Sequence, residues 1–174
     1  MIANIARWIV PLVYLRLLLG AAITFRRSGA SWGSIPLALT FWLMIAASQR
    51  TELFLPLAIP ATVFLVGGLV LFQWASNSIR GRFFSYIGNS DTPQFVFDGG
   101  PFAYIRHPFY ASYLITNTAV AMAFPSWASV ATAIGTLALL WGATVFEERK
   151  FEKSPSAAEY RAYIARTGRF LPKL

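Results

Sequence analysis

The chain has 174 residues, 56% hydrophobic and only 13% charged, with a mean hydropathy of +0.54 and a formal net charge of +8. That profile is a membrane protein's, and because the positive charge forms no solvated basic domain able to grip phosphates it excludes nucleic-acid binding. Zero cysteines exclude disulfides, thiolate metal sites and a cysteine nucleophile, and a single histidine with no metal-ligand spacing argues against zinc or haem.

In chain order, residues 8–25 are apolar apart from Arg16 and predict a first span, whose arginine snorkels to an interface or lines a bundle. A signal peptide fits less well, because the run is long and its charge is central. Residues 28–49 and 53–79 carry no charge and each fit one span, placed at about 33–48 and 54–76. A long polar connection, residues 77–106, follows, with Gly81, Gly88, Pro93, Gly99, Gly100 and Pro101; loops of this length are usually functional or disordered. The next uncharged run, 108–146, is too long for one helix, and Pro125 with Ser126 sits where a turn is needed, so a helical hairpin of about 108–124 and 127–150 is expected. In the tail, Tyr160, Tyr163 and Ile164 recur at helical spacing between residues 156 and 167, with Gly168 as a stop.

The expected fold is therefore all-α: a polytopic membrane protein of about five transmembrane helices in one domain over residues 1–174, with a C-terminal helical hairpin and a cytoplasmic amphipathic tail helix. Placing the N-terminus outside and the C-terminus in the cytoplasm puts all lysines and arginines except Arg7, Arg16 and Arg50 on the inner side. The expected location is a membrane of the bacterial inner-membrane type, and membrane lipids are partners through the basic face. Trp8, Trp32, Trp74 and Trp127 read as interface anchors.

The segment with the most chemistry runs from Gly99 through Pro101, Phe102, Tyr104, Arg106, His107 and Pro108 to Tyr110, where the one histidine stands beside an arginine at the edge of a very apolar protein. Together with the apolar hairpin, Glu147 and Glu148, Tyr160 and Tyr163, and the run Arg169, Phe170, Leu171, Pro172, it resembles the isoprenylcysteine carboxyl methyltransferase family of integral membrane enzymes. The likeness begins near Gln73, Trp74 and Ala75 and covers roughly the C-terminal hundred residues in the family's order. The resemblance implies methyl transfer from S-adenosylmethionine to a lipid-like or isoprenoid-bearing acceptor, with spans in residues 1–76 and cofactor binding in 77–174. Carried over position by position, the cofactor contacts fall on Gln94, Phe95, Val96, Phe97, Phe102, His107, Pro108, Phe109, Tyr110 and Glu147, and the catalytic roles on Glu147 and Arg106, without a metal. Those residue types suit a donor bearing a sulfonium, an ammonium and a carboxylate: Glu147 for the cations, Arg106 with His107 for the carboxylate, and Phe102 with Tyr110 for the adenine.

The chain departs from that pattern at Ala143, where carboxylate-methylating members carry an arginine one turn before the first glutamate. Either Arg149, Arg80 or Arg82 substitutes, or the acceptor is a neutral amine, thiol or hydroxyl; related membrane enzymes that methylate amino-phospholipids also use a glycine-rich segment and a Glu-Glu pair. Plainer readings stand beside these. Arg106, His107 and Pro108 equally describe a snorkelling arginine, a headgroup-level histidine and a helix-starting proline. Glu147 and Glu148 equally describe a solvated helix end, although acids there oppose the dipole. Tyr160 and Tyr163 read as packing residues, and Gly99-Gly100 as a turn. The alternatives are an NADPH-dependent sterol- or steroid-type reductase, which would need a basic cluster for the 2′-phosphate, and a non-enzymatic lipid-binding membrane scaffold.

Overall fold

The structure is a computed structural model that describes residues 2–25, 31–79 and 95–173. Among them six α-helices form: α1 (Ile2–Phe25), α2 (Ser31–Arg50), α3 (Ala58–Ile79), α4 (Pro108–Ala123), α5 (Trp127–Glu152) and α6 (Ala157–Arg166). Short 3-10 turns precede α3 (Leu55–Leu57) and α4 (Gly100–Ala103). All six sit where hydropathy and charge gaps place them, and the differences are at the ends. Helix α1 starts earlier than residue 8, and Pro11 lies inside it, as helices in an apolar environment tolerate. Helix α3 starts later than residue 54, because Pro56 sits in the 3-10 turn ahead of it. The turn expected at Pro125 and Ser126 is there: the Ser126 hydroxyl accepts from the Ser129 amide at 3.1 Å and the Ser129 hydroxyl accepts from the Ser126 amide at 2.9 Å, starting α5 with a reciprocal cap.

Two helical segments, Leu55–Ile79 and Trp127–Glu152, are long and apolar enough to cross a membrane. Only 17% and 22% of their apolar windows are buried, which is not how a soluble protein treats a core helix. Instead Trp8, Leu12, Trp42, Ile59, Val63, Ile134, Trp141 and Phe146 all face outward, a belt of apolar surface that water would not tolerate and lipid would. The tryptophans proposed as anchors fit it where they are described: Trp127 is 92% exposed and Trp8 71%.

The bundle closes on small residues. Helices α3 and α4 make the most extensive interface, with Ala61, Gly68 and Ala75 of α3 buried at seven-residue spacing. A methyl at Gly68 would stand 2.6 Å from Thr116 Oγ1 and 3.1 Å from the Ser112 carbonyl, so the two backbones approach closely only because nothing is there. Aromatics fill the centre: Tyr14 packs on Phe41 at 4.7 Å, and Phe72 meets Phe109 edge-on at 5.4 Å. Through them runs a polar thread. The Tyr14 hydroxyl donates to Asn117 Oδ1 at 2.5 Å, and the Asn117 amide donates to Thr136 Oγ1 at 2.9 Å, tying α1, α4 and α5 together.

Successive helices alternate in direction, which sorts the connections to two ends. At one end Arg7 pairs with Glu52 at 2.8 Å and the Phe54 amide donates to the Ala123 carbonyl. The opposite end receives the close of α3, the start of α4, the close of α5 and the tail, and that is where the ionisable residues converge.

Candidate functional site

The site is assembled by backbone pairing before any side chain is considered. Gly100, at φ +60, turns the chain where a Cβ would fall 2.0 Å from Ser78 Oγ, so the 3-10 turn lies directly on α3. Beyond Tyr104, which still closes that turn, Ile105 bridges in parallel to Gly168 of the tail that follows α6: the Gly168 amide donates to the Tyr104 carbonyl, the Arg106 amide to Gly168 and the His107 amide to Arg169. Helix α6 holds this seam down, with Tyr160 stacked on Phe151 at 4.3 Å and the Tyr163 hydroxyl donating to the Phe102 carbonyl at 2.6 Å. Burial pushes both phenols above their ordinary pKa, so they stay neutral and pack, the plainer of their two readings. Arg166 ties α6 to Asp98 at 2.5 Å.

The pairing puts Arg106, His107 and Arg169 around one carboxylate, Glu148, near the end of α5. Arg106 Nε donates to Glu148 Oε1 at 3.0 Å and His107 Nε2 lies 3.2 Å from the same oxygen. Arg169 engages both oxygens, Nε to Oε1 at 3.2 Å and Nη2 to Oε2 at 2.5 Å, in the fork geometry that makes such pairs strong. Arg106 also donates to the Thr167 carbonyl, so its guanidinium is held inside the cluster from two directions. The Arg169 guanidinium lies 4.4 Å above the Trp141 ring, on the face of α5 that Trp141 shares with Glu148.

Glu147 behaves differently from its neighbour. Its side chain is 44% exposed where that of Glu148 is 10% exposed. Tyr110 donates its hydroxyl to Glu147 Oε1, and His107 Nδ1 stands 3.5 Å from Glu147 Oε2. The His107 ring lies between two carboxylates, one at each nitrogen, and stacks parallel to Tyr110 at 5.5 Å. Burial works to lower the His107 pKa, but hydrogen bonds to Glu147 and Glu148 and their charges outweigh it, and the net shift is upward. The imidazolium fits this place because both ring nitrogens then donate.

The structure thus brings together Arg106, His107, Tyr110 and Glu147. Pro108 is buried at the first turn of α4, and Phe109 turns away from Tyr110 into the core against Phe72. Phe97 and Phe102 form an edge-on pair at 5.3 Å, with Phe102 reaching Phe109 at 6.2 Å. Val96 packs with the Phe151 and Tyr160 cluster, and Phe95 is half-buried. Gln94 lies outside the described residues, as do Arg80 and Arg82; Arg149 is exposed. Sequence reasoning underrated Glu148 and left Arg169 without a role. The signal for both was the Arg169-Phe170-Leu171-Pro172 run, which marks a tail that returns to the site.

The phospholipid methyltransferase family profile matches residues 57–154, more than half of the chain, from α3 through the whole of α5. The chain belongs to the phospholipid methyltransferase family. This family is of the integral membrane isoprenylcysteine carboxyl methyltransferase type, in keeping with the resemblance carried by Arg106, His107 and the Glu147-Glu148 pair. Family membership makes the protein a methyltransferase acting on a lipid-like substrate. Arg169 and α6 lie beyond the matched residues, although the former completes the ion cluster. No curated protein sequence matches the chain.

Proposed function

We propose that the protein is a five-span enzyme, like the isoprenylcysteine carboxyl methyltransferases, which transfers a methyl group from S-adenosylmethionine to a lipid-like acceptor at the cytoplasmic face. The N-terminus lies outside. The observation that carries this reading is the division of labour between adjacent acids: Glu148 absorbs the charge of Arg106 and Arg169, and Glu147 is left half-exposed at the rim.

The donor set fits the proposed cofactor. Glu147 offers an accessible carboxylate to its sulfonium and ammonium groups, and Arg169, whose side chain is 22% exposed, and His107 offer cationic donors to its carboxylate. Phe97, Phe102 and Tyr110 supply aromatic faces for the adenine, with Phe95 and Val96 as the loop edge and Pro108 and Phe109 fixing the start of α4. When bound, the cofactor supplies an electrophilic methyl group on sulfur. Arg106 acts here as a positioning residue, because its guanidinium holds Glu148 and the Thr167 carbonyl in place. Tyr110 and His107 orient the Glu147 carboxylate. Such a transfer needs little covalent assistance from the protein, and alignment of the acceptor with the methyl group carries most of the rate. Alanine at 143 stands one turn before Glu147 on the same face of α5, whereas Arg169 lies on the face of Trp141 and Glu148, so a neutral acceptor headgroup suits the Glu147 side better than an anionic one.

Calorimetric titration of the detergent-solubilised protein tests this reading. S-adenosylmethionine should bind, and Glu147→Gln should weaken it at least tenfold without lowering the unfolding temperature. An unchanged dissociation constant, or binding of NADPH with none of S-adenosylmethionine, would overturn it.

A further inference from the structure

The seam between α1 and α3 carries features that the methyl-transfer site does not use. Arg16 projects from a helix that is otherwise apolar from residue 8 to residue 25, and its side chain is exposed on the outside of the bundle. A charged side chain in such a setting is costly unless it finds a partner. No carboxylate among the described residues pairs with it: Glu52 is engaged by Arg7 at the opposite end, Asp98 by Arg166, and Glu147 and Glu148 by the site, while Glu152 closes α5 and Glu159 lies on α6. Asp91 lies outside the described residues.

The protein nevertheless builds a place for this guanidinium. Nη2 donates to Gln73 Oε1, and Gln73 is held in that orientation because its amide nitrogen donates to Asn77 Oδ1 at 2.7 Å. The guanidinium carbon stands 6.0 Å from the centre of the Phe72 ring. Gly20, one turn along α1, makes the room: a methyl there would lie 2.7 Å from Arg16 Nη1 and 2.5 Å from the Phe72 ring. A guanidinium has five N–H donors, and Gln73 uses one. The remaining donors suit an anion of fork-compatible shape.

The same seam continues into an apolar cavity. From Arg16 and Gln73 toward the far end, Leu12, Val70 and Val66 are exposed along the two helices. Beyond them lies a cavity of about 250 Å³ whose walls include Ile5 and Ile9 of α1, Thr62 and Leu65 of α3, and Val120 of α4. At 1.5 Å per helical residue, Ile9 is about 10 Å and Ile5 about 16 Å from Arg16 along α1, and Thr62 is about 16 Å from Gln73 along α3. Half of a bilayer's hydrocarbon core is about 15 Å thick, so one acyl chain whose phosphate sits at Arg16 reaches this cavity.

We propose that the α1–α3 seam is a binding site for one membrane phospholipid, with its phosphodiester on Arg16 beside Gln73 and one acyl chain lying across Leu12 and Val66 into the far cavity. The site is separate from the cluster around Glu148, and the lipid held there need not be the methyl acceptor.

Native mass spectrometry of the full chain in detergent, titrated without any methyl donor, tests the proposal independently of methyl transfer. Dioleoylphosphatidylglycerol should be retained at one per protein, and dioleoylglycerol, which lacks the phosphate, at least tenfold more weakly. Arg16→Gln should weaken retention about tenfold and Arg16→Lys less. Thr62→Phe, which fills the cavity from an exposed position, should weaken the dioleoyl lipid and leave its dioctanoyl counterpart unchanged, because the short chains end before the level of Thr62. Equal retention of dioleoylglycerol, unchanged binding by folded Arg16→Gln, displacement of the lipid by millimolar inorganic phosphate, or equal effects of Thr62→Phe on both chain lengths would each overturn it.

Discussion

Glu148→Gln is the most informative single change, because it removes one charge and almost no volume from the centre of three cationic groups. The wild-type carboxylate takes hydrogen bonds from Arg106, His107 and both ends of the Arg169 fork, and its side chain is 10% exposed. Removing one partner from a buried ion pair costs about 3–5 kcal/mol, chiefly because the other charges stay behind uncompensated. The glutamine oxygen still accepts from one arginine, so the lower figure applies, about 3 kcal/mol. At about 2–4 °C per kcal/mol for a chain of this size, the unfolding temperature should fall by about 6–12 °C. Scanning fluorimetry in detergent measures it. Glu147→Gln is the internal control: with its side chain 44% exposed, screening holds its stability cost below about 1 kcal/mol. If Glu147→Gln lowers the unfolding temperature more than Glu148→Gln, or if both leave it within 2 °C of wild type, the assignment of Glu148 as the hub of the site is wrong.

Three further outcomes are expected. The folded-state pKa of His107 lies above the ordinary value of 6.5, so its contribution to stability is complete below that pH and lost as pH rises through the raised value; the difference in unfolding temperature between wild type and His107→Gln should shrink from pH 6 to pH 9, and a constant difference would contradict this. Gly68→Ala should destabilise by about 1–3 kcal/mol through overpacking against Thr116, whereas at Gly67 an added methyl meets nothing within 4 Å and Gly67→Ala should be neutral or stabilising; equal effects in thermal denaturation would show that α3 and α4 are not in close backbone contact. Tyr14→Phe leaves Asn117 without its buried donor and should cost about 0.6–1.7 kcal/mol, read from the same assay, with no change in cofactor affinity.

The helices were legible because their cause is local. Uncharged runs bounded by arginines must cross or pack in something apolar, and Pro125 followed by Ser126 can do little other than turn and cap. The roles of the two adjacent glutamates were not legible, because neighbours on a helix point about 100° apart and only the packing of α5 decides which is buried. That packing depends on Tyr160 stacking on Phe151 and on residues 104–107 pairing with Gly168 and Arg169, the second a contact across more than sixty positions of sequence that no local pattern encodes. Arg16 was visible as an oddity from the start. Its surroundings, Gly20, Phe72 and Gln73, were not, since two of the three belong to another helix.

The parallel pairing of Ile105 with Gly168 also sets an order of events during biosynthesis. Ribosomes make the chain from its N-terminus, so α1 to α5 have all been synthesised before Arg169 is added. Until then Glu148 can meet Arg106 and His107 but not the fork that grips both of its oxygens. Completion of the ion cluster is therefore a late, post-insertion event, and a nascent protein halted short of residue 169 carries its membrane helices without a finished site.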